Sequence, residues 1–412
     1  MDRRVAITGL GVVAPIGVGK EAFWSAALAG ASGVGPITLV DRPDLPVQVA
    51  GEVKDFVPTD HLPKKLVVRT DRNTHFAFAA CTEALADAGL DLTREDKARV
   101  GLVMSSNYGG LNYYLNNLER LHQKGPSFVS AYMAIAWIPS APVGQLSIFH
   151  GINGYTKTII NDAAGGLDAI GTAYRAVRRG ECDVILAGGF EAALAEAALA
   201  GLATFPDLCR TAPDPATAFR PFDTRRNGIV VGEGGALCIL EEWERARARG
   251  APIYAEVAGY AQTNDALDIH HVAADGAQYA RALRLALAVG GLSPDDVDYV
   301  NADGRGTEEG DRGEAKALTR VFGDRLSRLP VSAPKSMVGN TLAGAGPLDL
   351  AFATLALRGR TIPPTINVAQ QDPECPLDLV RDRPREAALD VALLGARSTG
   401  GANSALAIRR VG

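Results

Sequence analysis

Cysteine is the strongest nucleophile the chain offers, and its five copies are Cys81, Cys182, Cys209, Cys238 and Cys375. They are odd in number, widely spaced and form no CxxC pair, which points to neither a disulfide framework nor a zinc site. Cys238, in GALCILE, reads as a small core residue. Cys209, in FPDLCRTAPD, is the one cysteine in an irregular polar segment, and no adjacent His supports it as a nucleophile. Glycine is abundant and clusters at turns such as AAGG, GEGG, AGAG and TGGAN. None of these clusters fits GxGxxG in a strand-to-helix turn with an acidic residue further on, so a dinucleotide site is not expected. The basic run KKLVVRTDR, with Lys64, Lys65, Arg69 and Arg72, reads either as a solvated face or as an attractor for an acidic partner.

The elements that must position these groups alternate along the chain. RVAITG precedes the helix-like KEAFWSAALAG. RVGLVMSS precedes a helix from about Asn112 to Leu121, and TKTII precedes GLDAIGTAYRAVRRG and the strand DVILAGG. After about residue 250 the theme returns with IYAEVAGYA, a helix around Tyr279 to Val289, DVDYVNA, a helix after Thr307, and the runs VALLGA and SALAIRR. This alternation predicts an α/β fold with buried strands, in two similar halves over residues 1–250 and 251–412. With 412 residues, 47% of them hydrophobic, the chain can bury a substantial core. A net charge of −5 argues against a nucleic-acid or anionic-membrane binder. No run reaches the ~18 apolar residues that span a bilayer, and the N-terminal stretch lacks a signal peptide's long apolar region. A soluble cytoplasmic protein is expected.

Several segments together resemble the β-ketoacyl synthase family of the thiolase fold and cover nearly the whole chain. They are VAITGLGVVAPIG, GGLDAIGTAYRAVRRGECDVILAGG, AFRPFDTRRNGIVVGEGGALCILE, ADGRGTEEGDRGEAKAL, APKSMVGNTLAGAGPLDLA with IPPTIN after it, and STGGANSALAI. The resemblance implies a five-layered αβαβα core. It also implies a Cys nucleophile at the N-terminus of a buried helix, where the dipole and backbone N–H groups favour thiolate and oxyanion. That position here is Ala163. Of the two His residues that would activate a malonyl thioester, the first falls at Asp303 in NADGRGT and the second at Asn340 in KSMVGNT. Positions 163, 303 and 340 stand 140 and 37 residues apart, separations compatible with the catalytic set. Methyl cannot attack a thioester, and a carboxylate at 303 would repel a developing enolate. Asp311, Glu314 and Lys335 match charged positions that accompany the catalytic set, and are read here as structural ion pairs. Thr399 and Gly400 fall where active relatives place an oxyanion-hole N–H, and are read as a tight turn.

Within the family the profile is similar to the chain-length factor branch of type II polyketide synthases. Many members of that branch carry Gln where this chain has Ala163, and the alanine strengthens a non-catalytic reading. The resemblance implies a heterodimer with a catalytic ketosynthase subunit. It also implies an acyl carrier protein bearing the phosphopantetheine-bound chain, with no cofactor or metal. In that branch an interface helix lines the far end of the acyl tunnel. Leu111, Tyr114 and Leu118 match it, share one helical face at i, i+3 and i+7, and are expected to set chain length. Tyr132 and Trp137 are expected at the interface. Two alternatives stay open: an acyltransferase or condensing enzyme using Asp303, Asn340 or Lys335, and an acyl-binding homodimer.

Overall fold

A computed structural model describes residues 3–411. The first half contributes β1 (Val5–Ala14), β2 (Val100–Ser105), β3 (Thr156–Ile159), β4 (Val184–Glu191) and β5 (Gly234–Glu242). The second contributes β6 (Ala255–Asn264), β7 (Tyr299–Asn301), β8 (Pro330–Ser332), β9 (Asp378–Leu379), β10 (Val391–Arg397) and β11 (Ala402–Arg410). The lateral order is β9-β8-β7-β10-β11-β6-β1-β5-β4-β2-β3. Counted outward from the centre, the first half runs first, last, last but one, second, third, and the second half repeats that order with β9 added at its edge; the halves join where Ala6 and Ile7 pair with Glu256 and Ala255. In each half the three strands nearest the centre, β1, β5 and β4 or β6, β11 and β10, run antiparallel, and the pairings from there out to the edge are parallel.

The main helices are α1 (Arg72–Asp87), α2 (Leu111–Lys124), α3 (Ala141–His150), α4 (Gly165–Arg178), α5 (Ala277–Val289), α6 (Glu308–Phe322) and α7 (Ala345–Gly359). Helices α4 and α7 pack on each other between the two halves of the sheet, α1 covers the outer face of the first half, and α5 that of the second. This is the five-layered αβαβα arrangement of the thiolase fold. The central layer is possible because small residues let the helices meet: a Cβ on Gly166 would lie 2.2 Å from Cδ of Pro347 and 2.5 Å from the carbonyl oxygen of Ala343. Leu167, Ile170, Leu348, Leu350 and Phe352 fill this layer, and the strands present near-continuous apolar runs to it.

Helix ends follow local chemistry. Asp71 caps α1 by accepting from Asn73 N, and Thr307 caps α6 by accepting from Gly310 N with Glu308, Glu309 and Asp311 in the first turn. Helix α2 runs a turn beyond Leu121 and begins after Gly110 without a side-chain cap. Among the described residues, no helix is long and apolar enough to cross a membrane, and no group of three or more His, Cys, Asp or Glu is placed to hold a metal ion.

Candidate functional site

The turns that lead into the two central helices touch each other, and position 163 lies in the first of them. A turn at Asp162–Ala164 leads into α4, with Asp162 at φ +47°. Ala163 is 1% exposed, so its methyl faces protein. Ser398 Oγ donates to the carbonyl of Asn161 (2.8 Å) and accepts from Ala164 N (2.7 Å). Thr399 donates its backbone N–H (3.0 Å) and its hydroxyl (2.8 Å) to Oδ2 of Asp162. Gly400, at φ +78°, does make a tight turn, but Thr399 does more than turn the chain. The N–H that would receive an oxyanion already receives a carboxylate.

Asp303 lies at the end of β7 in a buried ion cluster. Lys335 Nζ donates to the Asp303 carbonyl (2.8 Å) and to its Oδ1 (3.2 Å), and lies 3.2 Å from Asp349 Oδ2. Arg397 Nε reaches Asp303 Oδ2 at 3.1 Å, and its Nη2 lies 3.5 Å from Glu314. Glu314 also accepts the backbone N–H groups of Asp303 and Gly304. Every member is at most 2% exposed. Burial would raise the Asp303 carboxyl, yet Lys335, Arg397 and Arg305 together hold it below the usual carboxylate range. Asp349, with Lys335 as its cation, is pushed up to about 7 by burial. The repulsive carboxylate anticipated at 303 is thus neutralised inside the protein. Asp311 serves a different contact: it accepts Phe222 N (2.7 Å) and Gly306 N (3.0 Å) and lies 3.4 Å from Arg226.

Asn340 Oδ1 accepts Leu342 N at 2.9 Å, closing the turn before α7. With Tyr108, Asp162, His270, Arg305 and Thr399 it lines a cavity of about 90 Å³. Ligand pockets typically measure about 300–1,000 Å³, so this one is too small for a growing acyl chain.

Helix α2 presents Leu111, Tyr114 and Leu118 half-buried on one face. Tyr114 stacks on Trp137, with ring centroids 4.8 Å apart at 27°. The Trp137 carbonyl accepts Gly110 N at 3.0 Å. Gly109 sits at φ +59°, and a Cβ there would lie 2.1 Å from that same carbonyl, so the loop before α2 requires glycine. Tyr132 lies beneath the Arg69 guanidinium, 4.7 Å from ring to cation. A groove of about 980 Å³ runs along the neighbouring side of α2, lined by Asn112, Leu115, Asn116 and Glu119 together with Leu39 and Leu194.

One sequence expectation needs correction. Arg72 is not part of an exposed basic face: it turns inward to Glu233 (2.7 Å) and the Val53 carbonyl, leaving Lys64 and Lys65 exposed. Cys209 is buried despite its polar neighbours, as are the other four cysteines. Residues that sequence reasoning missed include Arg397, Asp349, Asp162 and Glu191. Arg397 had a signal, since a lone Arg ending the apolar strand VALLGAR must find a buried partner.

Glu191 ends β4 fully buried, accepting the N–H groups of Asn107 (2.8 Å) and Tyr108 (3.3 Å). Burial pushes its carboxyl up to about 8 against the pull of those two bonds, and Asp162 and Asp71 add like-charge repulsion. Because the folded value is raised, stability from this group is present below about pH 4.5 and lost as pH rises toward about 8. In Glu191→Gln the group no longer titrates. The difference in unfolding free energy should therefore move in the variant's favour by up to about 1.4 kcal/mol per pH unit across that window, read by urea unfolding at constant ionic strength. A pH-independent difference would contradict the titration.

The layered fold, the helix N-terminus at 163 and the loops at 303 and 340 define a ketosynthase framework, and the chain belongs to the β-ketoacyl synthase family. Residues 2–246 match the family's N-terminal domain and residues 254–369 its C-terminal domain. The chain is 42% identical over 410 residues to the tetracenomycin polyketide synthase ketoacyl synthase beta subunit of Streptomyces glaucescens, covering 99% of this chain and 98% of that one. It is 37% identical over 409 residues to 3-oxoacyl-[acyl-carrier-protein] synthase 2 of Staphylococcus aureus, covering 99% of each. Among solved structures, the ishigamide ketosynthase/chain length factor superposes with a TM-score of 0.92 at 32% identity. A type II polyketide synthase ketosynthase, bound to a hexaketide and in complex with its acyl-carrier protein, gives 0.92 at 30%. Both matches cover 100% of each chain.

Proposed function

We propose that this chain is a chain-length factor: a ketosynthase-like subunit that makes no bonds itself, pairs with a catalytic ketosynthase and shapes the tunnel that fixes polyketide length. The observation that carries the reading is the filled and rewired centre. Ala163 offers no nucleophile, Asp162 occupies the Thr399 N–H, and Asp303 is consumed by Lys335 and Arg397. An enzyme using Asp303 as its base is disfavoured, because a carboxylate held below its usual range by two cations accepts protons poorly.

The surface supports a partner. Strand β3 ends the sheet with one side unpaired among the described residues. Beside it are Ile160 (64% exposed), Ile148 (77%) and Phe149 (52%), and Ile135, Trp137 and Ile138 are exposed as well. An open strand edge flanked by large apolar side chains favours a second folded chain over solvent. A catalytic ketosynthase in that place would bring its acyl tunnel to the Tyr114–Trp137 face of α2. Exposed Lys64 and Lys65, with Arg69 over Tyr132, are the cations we assign to attracting the acidic acyl carrier protein.

The test is biochemical. The chain alone should transfer no acyl group from acyl carrier protein and decarboxylate no malonyl thioester. Mixed with its cognate ketosynthase it should elute as a one-to-one complex that condenses. Turnover by the isolated chain that Asp303→Ala abolishes would replace this reading with an enzymatic one, and a stable homodimer indifferent to ketosynthase would refute the partnership.

A further inference from the structure

The helix that carries Tyr114 is held at its start by buried carboxylates from other elements. Asp71, already the cap of α1, gives its Oδ2 to Tyr113 N at 2.7 Å. Ser106 Oγ accepts Gly109 N (3.1 Å) and takes Asn73 Nδ2 (2.9 Å). Glu191, at the rigid end of β4, takes the next two N–H groups of the loop, those of Asn107 and Tyr108. From there the chain reaches Gly110, whose N–H holds the Trp137 carbonyl and whose own carbonyl accepts Tyr114 N at 3.1 Å. One residue, Gly109, separates the carboxylate's grip from the residue that ties Trp137 and Tyr114 together.

Glu191 is a costly way to hold a loop. The charged groups that bear on it, Asp162 and Asp71, are both acidic. Burial without a cation disfavours its ionised form, so the carboxyl tends to keep its proton, and the two loop N–H groups are the hydrogen bonds its oxygens accept. Asn107 Oδ1 is buried without a hydrogen-bond partner, so its side-chain oxygen adds nothing to fix the loop. Glu191 holds residues 107 and 108, while Ser106 holds Gly109 and the Trp137 carbonyl holds Gly110.

We propose that Glu191 is the positioning residue of the chain-length gate: by fixing residues 107 and 108 it sets where Tyr114 and Trp137 stand, and so the length at which the polyketide stops, without touching that chain. The inference rests on the chain-length reading above. It also ties the two ends of the loop together, since Tyr108 lines the small cavity at the degenerate centre while the loop's other end carries the gate.

The test compares product lengths made by the complex containing wild type, Glu191→Gln, Tyr114→Ala and the double variant, each normalised to assembled complex. Glu191→Gln should change the ratio of longer to shorter products at least twofold, and should add nothing once Tyr114 is alanine. If the Gln variant does not assemble, Glu191→Asp, which draws the carboxylate back by one methylene, carries the same comparison. A ratio that Tyr114→Ala moves and Glu191→Gln does not would overturn the inference and leave the chain-length reading intact. A ratio that neither moves would overturn both. An equal shift from Glu191→Gln in both backgrounds would show that it does not act through Tyr114.

Discussion

Replacing Lys335 with Met should destabilise the protein by about 3–5 kcal/mol, the usual cost of leaving a buried charge without its partner. Lys335 sits 1% exposed between Asp303 and Asp349, with Glu314 and Arg397 completing the cluster. Three carboxylates then depend on Arg397, whose Nε already serves Asp303, with Arg305 as the other cation bearing on Asp303. Met nearly conserves length and volume, so cavity formation adds little to the loss. The result is read as a drop in the urea midpoint, and Asp349→Asn in the Lys335→Met background should recover part of it, because the two sites are directly coupled. A loss below about 1 kcal/mol would mean that the cluster is not the structural device its geometry describes.

Tyr114→Ala, assayed in the complex with the catalytic subunit, should lengthen or broaden the product spectrum by one or more two-carbon units. The substitution removes the phenol from the face of α2 that meets Trp137, and with it the stacking support of Trp137, a contact of a kind worth about 0.5–1.5 kcal/mol. Both changes open the same space. Mass spectrometry of products, at equal amounts of assembled complex, reads the effect. An unchanged distribution from an intact complex would count against the gate.

The strand and helix alternation and the α/β fold were legible in the sequence, because apolar periodicity and motif spacing are local signals. What the site had become was not. Asp303 alone suggested repulsion, and only the fold brings Lys335 and Arg397 from 32 and 94 residues away to cancel it. Arg72 read as part of a basic surface because a run of cations carries no mark of which member turns inward to Glu233. Glu191 looked like the polar end of a strand. Its importance lies in two loop N–H groups more than 80 residues upstream, a contact no pattern along the chain announces.

The cluster around Asp303 also bears on how such a subunit changes over evolutionary time. Restoring His at 303 would remove the carboxylate that Lys335 and Arg397 share, leaving Lys335 to Asp349 and Arg397 to Glu314, and restoring Cys at 163 would place it beside an Asp162 that already fills the Thr399 N–H. Neither step alone supplies the other missing groups, and each meets contacts already made by its neighbours. On the chain-length reading, the loss of catalysis then works as a ratchet: the residues around positions 163 and 303 are arranged for the side chains now present.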